Sequence, residues 1–228
     1  MTESLSSHSE SVETVTPVTA PVDASTASPR AVRHDVLPVL EKLAEMYPQL
    51  FGAIFLPLKR GIFQDLLEAH PGAFERNILK AALSFHTRST RYLTAVASGQ
   101  QRHDLAVQPV EAMAPEHVHQ ALLEVFRRRQ LRSTENLHPK LIARIVSAFE
   151  ATGLSAQAYA ELVRGRDEAA NTVLQEALSE AEAQAAKGEA LRRAFIASGQ
   201  SVDAFADMYG MDARAVARIL AKNGGTGA

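Results

Sequence analysis

The 228-residue sequence has no cysteine and no tryptophan. Without thiols there is no disulfide, no thiol nucleophile and no cysteine-ligated zinc, a pattern that fits a reducing cytoplasm. Nine phenylalanines and four tyrosines are too few for an extended base-stacking surface. No apolar run approaches the ~18 residues a membrane span needs, so no membrane partner is expected. The opening MTESLSSHSE lacks the apolar stretch of a secretory signal. Net charge is −2 at pH 7, so any site for a polyanion must be a local patch. The most informative absence is itself local. No Asp or Glu falls between Arg76 and Asp104, yet that stretch carries Arg76, Lys80, Arg88, Arg91 and Arg102. A segment that keeps its cations and drops its anions suits an anionic partner.

What is present fits one or two domains, with 46% hydrophobic residues. Residues 1–33, including TPVTAPVDASTASPR, show no period and are expected to be a disordered tail. From His34 onward Val36, Leu37, Val39, Leu40, Leu43 and Met46 make a helical stripe, which Tyr47-Pro48 ends. Pro57 and Gly61 bracket a turn or short extended piece holding Lys59 and Arg60, either surface charges or phosphate contacts. A helix is expected near Ile62 to Ala69, stopped by His70-Pro71-Gly72, with Phe63, Leu66 and Leu67 in the core. The next spans about Phe74 to Phe85, with Ile78, Leu79, Ala82 and Leu83 buried. Arg76 and Lys80, four apart, share its exposed face, where a bound phosphate would relieve their mutual repulsion. Thr87 or Ser89 suits the cap of a helix from Arg88 to Ala97. That helix start, flanked by Arg88 and Arg91, reads equally as an anion site or as a capped helix with basic surface residues. GQQRHDLAVQPVEAM reads as a hairpin, and Pro115-Glu116-His117 opens a helix ending in Arg127-Arg128-Arg129.

PLKRGIFQDL, LKAALSFHTRSTRYL, QRHDL and EHVHQA, in this order and with these gaps, resemble the ProQ/FinO family of bacterial RNA-binding proteins and RNA chaperones. The resemblance covers about residues 34–130. It implies a domain at 34–132 that is mainly α with a small β-hairpin component, acts without catalysis and needs no cofactor. Its implied ligands are structured RNAs, chiefly terminator-type hairpins with a single-stranded 3′ tail, from small regulatory RNAs and mRNA 3′ ends. Carried over by position, Lys59 is the PLK lysine, Arg76 and Lys80 hold basic positions, Arg91 and Tyr92 are the RY of RYL, and Arg102 precedes the hairpin. Thr87 to Thr90 align with the polar helix start, and His86, Thr87, Arg88 and Ser89 join the RNA-binding candidates. Four departures bear on affinity and pocket shape. Ser84 stands where some members have arginine. His86 stands where tyrosine is common, and Thr90 where tryptophan occurs. The DLDG hairpin signature is here Asp104-Leu105-Ala106-Val107. Tyr92 reads from spacing alone as a core aromatic with a hydroxyl partner; the resemblance assigns it to the pocket that receives the 3′ end.

Residues 133–228 lie outside the resemblance and are expected to be an all-α extension with two helix-turn-helix-like repeats. FEATGLSAQAYAEL from Phe149 pairs with FIASGQSVDAFADM from Phe195, giving copies at about 149–174 and 195–220. An Ala/Glu-rich helix joins them and continues past Gly188. Ten basic residues against twelve acidic ones make the extension a poor phosphate-binding module. A helical scaffold or protein-partner module is the main expectation, with a supplementary RNA contact through Arg214 and Arg218 as the lesser one. The alternative function is a DNA-binding regulator acting through these repeats. A metal-dependent hydrolase would have to use His86, His103, His117 and His119. However, His117 and His119 are two apart on a helix and point different ways, and no acidic cluster accompanies them.

Overall fold

A computed structural model describes residues 29–224, and the expected tail at residues 1–28 lies outside the described residues. Helix α1 (Pro29–Met46) starts ahead of His34, so the last residues assigned to the tail are helical. Its buried stripe holds Val36 and Leu43, whereas Leu37 is half exposed. Pro48 ends the helix by restricting Tyr47, and the short α2 (Pro48–Phe51) buries Leu50 and Phe51. Gly61, at φ 83°, turns the chain into α3 (Ile62–Ala69), a conformation that glycine adopts without strain. Helix α4 (Arg76–Thr87) is shifted about half a turn from the expected span and packs on α1.

Ser89 settles the cap of α5 (Thr90–Val96): its hydroxyl accepts from the Tyr92 N–H at 3.1 Å. The hairpin is antiparallel, β1 (Arg102–His103) with β2 (Pro109–Glu111). Its turn keeps Asp104 as organiser, whose carboxylate accepts from the Gln108 N–H at 2.9 Å. Val107 sits there at φ 62°, a left-handed conformation unusual for a β-branched residue. Leu58 runs parallel to His103 on the other edge of β1, with Lys59 N–H on His103 C=O at 2.8 Å. The PLK segment is therefore an added strand-like edge, not a free turn.

Helix α6 (Pro115–Gln130) carries Arg127, Arg128 and Arg129 in its last turn, where cations complement the helix dipole. Then follow α7 (His138–Thr152), α8 (Ala156–Val163), the 31-residue α9 (Glu168–Ser198), α10 (Val202–Tyr209) and α11 (Ala213–Gly224). One apolar core runs without a break from Leu43 to Ala181, and a small second cluster gathers around Phe205, Ala206 and Val216. The two segments paired by sequence share local geometry. Gly153 and Gly199 both end a helix in the left-handed region, and Ser155 and Ser201 both cap the eight-residue helix that follows. No described helix is long and apolar enough to cross a membrane.

Candidate nucleic-acid interface

Helix periodicity puts Arg76 and Lys80 on the open face of α4, opposite Leu79, Ala82 and Leu83 in the core. Arg76 stacks over the Phe63 ring at 5.6 Å, which holds the guanidinium in place without a carboxylate. Arg88 follows at the end of α4, also exposed. Among the described residues Arg76, Lys80 and Arg88 form no ion pair. Arg91 is exposed on α5, lies over the Phe55 ring at 4.5 Å and donates to the Ala53 carbonyl. These four side chains form the open part of the expected basic patch.

The remaining expected residues are placed differently. His86 is 4% exposed and packs against the rings of Phe51, Phe55 and Tyr92 at 4.8, 4.3 and 5.3 Å. Burial, with a smaller push from Arg91, lowers its pKa to about 4, so the imidazole is neutral at pH 7. His86 thus sits in the core, packed on the Phe55 ring behind Arg91. Thr87 turns its hydroxyl back onto the Leu83 carbonyl at 2.9 Å, closing α4 instead of offering a donor outward. The Ser89 hydroxyl is occupied by its capping bond.

Tyr92 is 6% exposed, and its hydroxyl accepts from the Leu58 N–H at 3.0 Å. Burial raises its pKa, against a weaker opposing effect of that bond. Its ring packs edge-on against His86 at 5.3 Å and also lines the cleft between α5 and α6. Arg102 completes the same clamp. Its guanidinium donates to the Leu58 carbonyl at 3.0 Å and pairs with Glu111 at 3.2 Å, with its side chain 14% exposed. Lys59 is held by Asp65 at 2.8 Å, a bond that raises its pKa. Lys59 and Arg102 thus lie on the sheet side with their charges partnered, apart from the unpaired cations of α4 and the α4–α5 corner.

The structure adds a cation that the sequence reading left out. Arg128 of α6 donates to the Arg88 carbonyl at 2.8 Å and to the Thr90 hydroxyl at 3.1 Å. This brings the basic end of α6, with Arg127, Arg129 and Arg132, up to the α4–α5 corner. The run of three arginines was the available signal; its service to the helix dipole concealed its place in the patch. Among the described residues no group of three or more His, Asp or Glu side chains is arranged to hold a metal.

Residues 33–138 match the model of the ProQ/FINO family. The chain is 39% identical over 87 residues to a protein named RNA chaperone ProQ from Aeromonas salmonicida, covering 36% of this chain and 41% of that one. It is 40% identical over 91 residues to the RNA chaperone ProQ of Shewanella oneidensis, covering 38% and 43%. The chain thus spans about two fifths of the length of these curated relatives. No solved structure matches it.

Proposed function

Residues 33–138 form a domain of the ProQ/FinO family, and from that premise we propose that the protein is an RNA-binding chaperone that acts by complex formation, without a catalytic step. The observation that carries this reading is the set of exposed cations with no carboxylate partner, Arg76, Lys80 and Arg88, continued by Arg91 and the end of α6. An A-form stem offers phosphates and 2′-hydroxyls, while its deep major groove is closed to side chains, so such a surface suffices to hold it. The ligands proposed are terminator-type hairpins with a single-stranded 3′ tail, in small RNAs and mRNA 3′ ends. Arg76 and Lys80 hold stem phosphates; Arg88 and Arg91 meet the tail at the α4–α5 corner. Lys59, Tyr92 and Arg102 shape that corner from the sheet side through Leu58, and His86, Thr87 and Ser89 fix its backbone.

A gel-shift titration of one terminator hairpin, with and without its 3′ uridine tail, tests the proposal. The expected result is tight binding that weakens when the tail is removed and falls steeply with salt. The Arg76→Ala/Lys80→Ala double variant should weaken both RNAs. Preference for a duplex DNA competitor over the hairpin would overturn the reading in favour of α10–α11, whose arginines Arg214 and Arg218 are exposed.

A further inference from the structure

A cleft of about 860 Å³ lies where the extension meets the family domain, between α5, α6 and the loop joining α8 to α9. Its size is that of a small-ligand site. The floor is apolar, with Leu93, Val96, Phe126 and Val173 among its lining side chains. The rim is polar and carries Arg102, His117 and Arg127 from the family domain and Arg166 from the extension.

Two features make this more than a gap between helices. The first is His119, which lines the cleft, is 2% exposed and has an Nδ1 with no hydrogen-bond partner. A buried polar atom left unpaired costs free energy unless something reaches it. Burial lowers its pKa, so the neutral ring offers one donor and one acceptor. The second is the loop itself. Asn171 accepts from the Gly165 N–H and donates to the Gly165 carbonyl, both at 3.1 Å. This two-way clasp fixes the backbone beside Arg166 without using its side chain. The other rim charges are committed. Asp167 accepts from the N–H groups of Ala169 and Ala170, Glu124 binds Arg127 and Arg128, and Arg102 is paired with Glu111. Arg166 is exposed and forms no bond among the described residues.

An apolar slot with an unsatisfied histidine packed behind its wall, and an unpartnered arginine on a fixed loop at its mouth, match a nucleotide: a base for the slot and a phosphate for the arginine. Arg127 on the same rim continues into Arg128 and the α4–α5 corner, so the cleft adjoins the basic patch. We propose that this cleft seats an unpaired nucleotide of the bound RNA, and that the α8–α9 loop supplies its phosphate contact through Arg166. The inference rests on the RNA-binding reading above. It makes residues 164–171 of the extension a working wall of the RNA site, with Asn171 as a positioning residue.

The test uses the full chain and a terminator hairpin whose 3′ tail carries a single 4-thiouridine. On irradiation the cross-link should fall within residues 117–131 or 163–173. Arg166→Glu should weaken the tailed hairpin about 5- to 10-fold and reduce the slope of log affinity against log salt by about one, the signature of a lost phosphate contact. Its effect on the tailless hairpin should be smaller. Asn171→Ala should give a weaker loss in the same direction. Arg166 is on the surface, so an unchanged melting temperature shows that the variant folds. If Arg166→Glu binds like the parent while Arg76→Ala/Lys80→Ala is weakened, the cleft proposal is wrong and the RNA-binding reading stands. If the parent chain binds no RNA, both are wrong.

Discussion

Tyr92 and Arg102 act on one peptide unit. The Leu58 N–H is bonded to the tyrosine hydroxyl and the Leu58 C=O to the guanidinium, so both backbone groups of a buried residue are satisfied by side chains from distant sequence. Tyr92→Phe keeps the ring and removes the acceptor. It is expected to destabilise the protein by about 1–3 kcal/mol, the cost of leaving a buried donor unpaired. Urea unfolding of the parent and variant measures this directly; equal midpoints would show that the hydroxyl does not hold Leu58 and leave the pocket role that its place in RYL implies. His86 makes a second prediction at this scale. Its pKa is about 4 in the folded chain and near 6.5 when unfolded. The unfolded state therefore binds the extra proton first as pH falls. The stability from keeping His86 neutral is fully present above about pH 6.5 and is lost progressively toward pH 4, by roughly 3 kcal/mol in all. Burial pushes His119 in the same direction. His86→Phe should flatten the fall in unfolding free energy between pH 7 and pH 4.5, and an unchanged pH profile would show that His86 is not the titrating group.

At the scale of elements, the helix stops are where sequence spoke most clearly. Gly153 ends α7 at φ 66° with open space around its missing Cβ, whereas Gly165 has an ordinary φ and equally open space. Gly153→Ala is expected to cost about 1 kcal/mol for the left-handed conformation. Gly165→Ala should be neutral or slightly stabilising, since it only restricts the unfolded chain. Thermal melts of the two variants side by side check the difference. The Tyr47-Pro48 stop and the Ser89 cap were legible because proline breaks and capping are local chemistry confined to a few residues. The placement of His86 was legible in principle: it lies three residues after Leu83 and four after Ala82, on the buried stripe of α4. The family resemblance placed it among the RNA-binding candidates without regard to that stripe. The bonds from Tyr92 and Arg102 to Leu58 were not legible, because they join residues 34 and 44 positions apart and depend on how the sheet edge meets α5. Arg128 escaped for the same reason, reaching the α4–α5 corner across 40 residues.

The whole molecule raises the question of where it divides. Sequence placed a boundary near residue 132, where the family resemblance stops and a polar connector begins. The apolar core crosses that point: Leu122 and Ala121 of α6 share one cluster with Ile145 of α7, Tyr159 of α8 and Leu174 of α9. The break in the core comes later, between Ala181 and the cluster around Phe205 and Val216, with only the exposed middle of α9 between them. Cooperativity follows buried apolar contact, so the boundary proposed for unfolding is in the middle of α9, not at residue 132. Among the described residues the second cluster has three fully buried members, too few to stabilise α10 and α11 as strongly as the main core stabilises its helices. Native-state hydrogen exchange should therefore show α4, α6, α7 and the first half of α9 opening together at the global free energy. Residues 202–220 should exchange through a separate opening of lower free energy. Protection of α10 and α11 equal to that of α7 would show instead that the long helix carries cooperativity through its exposed middle. Under the separate-opening outcome, Arg166 belongs to the stable unit together with Arg76 and Lys80. The α8–α9 loop would then stay fixed against the family domain even when the C-terminal helices open, as a permanent wall of an RNA site requires.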